Sequence, residues 1–132
     1  MTFANDGSVT GVFDFDLAGP APRLRDLAYL AWWMVPLGQQ DPPMATATTN
    51  DLVNQSQRLK RLCATYGVDA HQELLDMIDH VLHHMSDPDI TASMIGEAAT
   101  AALITEGHLD HWAKARDDFA TIQPKLIANL SL

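Results

Sequence analysis

The spacing of apolar positions changes after the first few residues. Val9 to Phe13 is rich in β-branched and aromatic residues, and Asn5-Asp6-Gly7-Ser8 before it supplies turn residues that tolerate positive φ. Residues 1–14 therefore read as a β-hairpin with a very short first arm, Thr2-Phe3-Ala4. A lone two-stranded hairpin is marginally stable, so this one is expected to lean on helices or on further strands. Beyond the turn at Ala18-Gly19-Pro20-Ala21-Pro22 the period becomes helical. Leu24, Leu27, Ala28, Ala31 and Trp32 predict a helix over Arg23–Val35 that Pro36 ends. After a Pro- and Thr-containing loop, Thr49 or Asn50 caps a second helix, which runs to Tyr66 and stops at Gly67. Asp69 and Gln72 have capping-box spacing and open a third, ending near Ser86. Asp87-Pro88 opens a fourth, with Ile90, Met94, Ile95, Ala98, Ala99, Ala102 and Leu103 on one apolar stripe as far as Gly107. A last helical region covers Leu109 to Leu130, where Pro124 is expected to kink or divide it. The expected fold class is mainly α with an N-terminal β-hairpin (α+β). It forms one domain over 1–132, with a hairpin over 1–16 and helices over 17–132.

Composition narrows the function classes. The chain carries 17 acidic against 8 basic residues, a formal charge of −9, and no basic run, which argues against nucleic acid as a partner. No stretch approaches the roughly 20 apolar residues of a membrane span. The single Cys63 excludes an intrachain disulfide, fits a reducing cytoplasm, and is expected to sit buried beside Leu59 and Leu62.

Candidate chemistry lies where the hairpin ends. Asp14 and Asp16 flank Phe15, and in extended chain both carboxylates point to one side. Such a pair can hold a hard cation such as Mg²⁺, or it can simply be turn-entry residues. Asp26, in the first turn of the next helix, gains from the helix dipole, and Arg23 and Arg25 are placed to pair with Asp14, Asp16 or Asp26. His80, His83 and His84, with Asp76 and Asp79, share one helix, and His108 and His111 flank Asp110. Zinc would need three or four converging ligands, and the simpler reading is polar histidines on a helix face. Of Trp32 and Trp33 only one can point fully inward, and Tyr29 with Trp33 could form an aromatic wall for a cationic substrate.

Gly11-Val12-Phe13-Asp14-Phe15-Asp16, followed by Gly19-Pro20-x-Pro22-Arg23-Leu24-x-Asp26-Leu27-Ala28-Tyr29, resembles the aminoglycoside phosphotransferase family of the protein-kinase-like superfold. The likeness is closest to a branch with phosphotransferase-like and bacteriocin-immunity-like proteins, and its motifs lie within residues 7–37. It implies the helical part of a kinase-like C-terminal lobe. By resemblance Asp14 is the magnesium-binding aspartate, Asp16 has a supporting role, and Asp26 is a structural brace. ATP and Mg²⁺ are the implied cofactors of the full-length family. Phosphoryl transfer in this superfold also needs a lysine on the phosphates, a nucleotide-covering loop and a catalytic loop supplying Asp and Asn. Here no lysine precedes Lys60, and no Gly-rich loop or His-x-Asp-x-x-x-x-Asn element occurs. Asn5 and Asp6, as turn residues, cannot replace the missing pair. The N-lobe and catalytic loop are thus expected to be lacking, leaving a C-terminal portion inactive alone. The alternative is a non-catalytic binding or immunity-type module, forming a homodimer through the hairpin and first-helix surface.

Overall fold

A computed structural model describes residues 2–11, 20–37 and 52–131. The chain begins with two short antiparallel strands, β1 (Thr2–Phe3) and β2 (Val9–Gly11). Thr2 pairs with Gly11 and Phe3 with Val9, so Thr10 is the extra residue of a bulge. The turn between them is closed by its own side chains. Asp6 Oδ1 accepts from Ser8 N at 2.9 Å and Ser8 Oγ at 2.7 Å, and Gly7 takes φ +83°.

Among the described residues six helices follow: α1 (Arg23–Met34), α2 (Leu52–Tyr66), α3 (His71–Ser86), α4 (Pro88–Ile95), α5 (Glu97–Thr105) and α6 (His108–Leu130). The core lies between α1, α2, α3 and α6. Leu27, Ala28, Ala31 and Trp32 of α1 meet Leu74, Ile78 and Leu82 of α3 with Phe119 and Leu126 of α6, while Leu59 and Cys63 close it from α2. Trp32 and Phe119 pack edge to face, centroids 6.2 Å apart. A polar brace ties α6 to α3 at the rim. Arg116 donates from Nε and Nη2 to the two oxygens of Asp79, at 3.0 and 3.3 Å, and its Nη1 lies 3.2 Å from His83 Nδ1. Gln55 crosses from α2 to the end of α1, its Nε2 donating to the Pro36 carbonyl at 2.6 Å.

Three expectations are corrected. The Asp69–Gln72 capping box does not form, because α3 starts at His71 with Ala70 as its N-cap; Gln72 instead donates to Asp76 one turn on. The fourth helix is two helices, parted at Gly96, whose φ +88° and ψ +157° are open essentially to glycine alone. Its expected stripe is not a core face: within α4 and α5 only Thr100 is buried, and Met94, Ala98, Ala99 and Ala102 are exposed. The third concerns Pro124, which does not divide the last region. α6 is continuous across it, with Phe119 and Leu126 on either side held in the same core. The caps expected at Thr49 or Asn50 lie outside the described residues.

Candidate functional site

Pro22 precedes α1 with an extended backbone, its carbonyl accepting from Arg25 N at 2.9 Å. This start sets three charged side chains on the first turn. Asp26 is exposed there, where a carboxylate opposes the positive end of the helix dipole. Arg23 lies over the Tyr66 ring, 5.0 Å from its centroid, tying the start of α1 to the end of α2. Arg25 turns toward α3 and α4. Among the described residues neither arginine forms an ion pair with Asp26. Asp14 and Asp16 lie outside the described residues. Among the described residues no three of His, Cys, Asp or Glu come together as a zinc site would require.

The histidines of the two groups have different partners, although His84 and His108 line one hollow. His80 and His84 stack with centroids 3.9 Å apart, while His83 turns to Arg116. His108 pairs with Glu106 at 3.3 Å, and His111 packs on the Trp112 ring. Burial, and then the charges of His80, Arg25 and His83, hold the His84 imidazolium below the ordinary histidine range, against an opposing pull from Asp87. Burial raises the Cys63 thiol, the reverse of what a reactive thiolate needs.

The tryptophan pair divides: Trp32 is 2% exposed and Trp33 46%. Trp33 meets Tyr29 and Trp112 edge to face, with centroids 6.3 and 6.1 Å away, so the expected Tyr29–Trp33 wall extends onto α6. Two hollows meet at Arg25 and His84, and Trp112 lines one of them. One, of about 180 Å³, lies among α1, α3, α4, α5 and α6, walled by Met85, Leu103, Leu109 and Trp112. The other, of about 260 Å³, lies against Pro20, Pro22 and Met77. Arg25, His84 and Met94 line both. Sequence reading singled out Arg25 and His84 separately, without joining them. They sit on different helices, and no local spacing signals that meeting.

A family model described as the phosphotransferase enzyme family matches residues 1–76. The match spans β1, β2, α1, α2 and the first turns of α3, includes Asp14, Asp16 and Asp26, and leaves α4 to α6 outside. Comparison with curated proteins gives no match, and comparison with solved structures gives none. With more than half of its residues matched from the first strand onward, the chain belongs to the phosphotransferase enzyme family.

Proposed function

We propose that these 132 residues correspond to the C-terminal portion of an ATP- and Mg²⁺-dependent small-molecule phosphotransferase and carry out no phosphoryl transfer on their own. One observation carries the reading. The family match takes in Asp14 and Asp26, yet the sequence holds no lysine before Lys60 and no His-x-Asp-x-x-x-x-Asn element. Transfer of a phosphoryl group is positioning and charge stabilisation, and each missing part supplies one or the other. Asp14 is the inherited magnesium ligand, Asp16 supports it, and Asp26 braces the segment from the first turn of α1. A single aspartate leaves most of the octahedral shell of Mg²⁺ to water or to nucleotide phosphates, so binding by this chain is weak. The helices α1 to α3 are the counterpart of a kinase-like C-terminal lobe. Calorimetric titration with ATP–Mg²⁺ tests the reading. The expected result is no saturable heat up to about 1 mM nucleotide, the scale of the weakest specific binding. Saturable binding accompanied by ATP turnover would sink it.

A second reading, a non-catalytic binding or immunity-type module, draws on the outer face of α1. Tyr29, Leu30, Trp33 and Met34 are all exposed there, a run of large apolar side chains of the kind that marks contacts. On this reading the hairpin and α1 surface joins two copies in a homodimer. Sedimentation equilibrium at high protein concentration should then give twice the monomer mass, and Trp33→Ser with Met34→Ser should return it to the monomer. A monomer throughout excludes the dimer.

A further inference from the structure

We propose that the 180 Å³ hollow among α1, α3, α4, α5 and α6 binds a small amphipathic carboxylic acid, with its apolar body against Met85, Leu103, Leu109 and Trp112 and its carboxylate on Arg25. Size sets the first limit. The hollow is a little larger than the roughly 150 Å³ cavity that takes benzene, so it admits one ring with a short tail or a comparable alkyl chain. Apart from Arg25, His84, Thr91 and His108 its wall is apolar, and Met94, 49% exposed, is an unbranched side chain that can close over a ligand.

The charge of the head group follows from what surrounds the mouth. Among the described residues no Asp or Glu lines either hollow, whereas Arg25 and His84 line both. Arg25 has no carboxylate partner among the described residues, in contrast to Arg116, which Asp79 holds on two oxygens. Two nearby acids are already engaged. Asp87 accepts from the Asp89 and Ile90 amides at the start of α4, and Glu106 holds His108. A guanidinium matches a carboxylate with two parallel hydrogen bonds, and an ammonium head would meet the like charge of Arg25 here. His84 adds a ring nitrogen beside Arg25, and the two stand at the junction of the hollows, where a polar head stays in reach of water. With a net charge of −9 the molecule repels anions at long range, so capture depends on this contact and the affinity is modest. The site needs no nucleotide and goes beyond the phosphotransferase reading.

Three probes that share a phenylpropyl body separate head from body: 3-phenylpropionate, 3-phenylpropan-1-ol and 3-phenylpropylamine. Each is titrated into the full chain while amide and indole NMR shifts are followed. The acid should shift the Trp112 indole and amides of α4, α5 and early α6 with a Kd of about 0.1–1 mM, the range expected for so few ligand atoms. The alcohol should bind about tenfold more weakly and the amine more weakly still. Arg25→Gln should reduce the acid to the affinity of the alcohol without changing the alcohol's own. Leu103→Trp, which fills the hollow, should abolish binding of both. Should that variant fail to fold, the three probes on the unaltered protein still decide. An amine that binds as well as the acid overturns the proposal. So does an acid that gives no saturable shift at about 10 mM, far above the range expected of a ligand this size. An Arg25→Gln variant with unchanged acid affinity overturns it as well.

Discussion

His84 couples the protonation of one ring to the stability of the whole. Its imidazolium is disfavoured in the fold by burial first and by His80, Arg25 and His83 next, so the folded pKa lies below that of the unfolded chain. Around the ordinary histidine value the unfolded state therefore binds more protons, and stability rises with pH. The contribution is fully present above about pH 6.5 and is lost as pH falls through that value toward the folded pKa. Urea unfolding at pH 7.5 and 5.5 should show a lower midpoint at the acid end, and His84→Gln should narrow the difference. Position in the core separates the aromatic residues as sharply. Phe119 is fully enclosed and meets Trp32, so Phe119→Ala should cost about 3–5 kcal/mol. Trp33 is half exposed and keeps only edge contacts with Tyr29 and Trp112, so Trp33→Ala should cost no more than about 1.5 kcal/mol. Urea midpoints for the two variants check the contrast, and equal losses would refute it.

Between elements, the chain shows what periodicity can and cannot announce. Pro36, Gly67 and Asp87-Pro88 mark the ends of α1 and α2 and the start of α4 because each residue type forbids or redirects the helix where it stands. Gly96 escapes the same reading. It is followed by Glu97-Ala98-Ala99 and the rest of an alanine-rich, helix-favouring run, so the pattern reads through it. Its backbone interrupts the helix between α4 and α5, the Gly96 N–H closing one helix on Ala92 and its carbonyl accepting from Thr100 to begin the next. Gly96→Ala should cost about 1–3 kcal/mol from backbone strain, although a Cβ there would meet no neighbour. A thermal melt by circular dichroism measures it; an unchanged midpoint would show that the turn relaxes. The stripe on α4 and α5 misled for a related reason. Apolar spacing describes one helix, and burial needs a second surface to cover it. The candidate site was legible only as its parts: Asp14, Asp16 and Asp26 stand out by local spacing and family likeness, whereas Arg25 and His84 meet through the packing of α1 on α3.

At the scale of the whole molecule the helices fall into two tiers. α1, α2, α3 and α6 share the enclosed core, and Arg116 and Gln123 bind α6 to Asp79 and Asp76 of α3 at its edge. α4 and α5 contribute only Thr100 to the buried set, and they rest on α3 and α6 through partly covered side chains such as Ile90, Ile95 and Leu103. Local opening follows buried contact, so amide exchange in α4 and α5 should run well ahead of the core helices. Hydrogen–deuterium exchange followed by peptide would show it, and equal protection in both tiers would exclude the division. With that division the α4–α5 layer would lift and reseat while the core stays intact. A ligand held in the hollow would lengthen the lifetime of that layer by mass action, with the core's own unfolding rate unchanged. A melting temperature reports the inner tier; the slow exchange of a few outer amides reports whether the molecule is occupied.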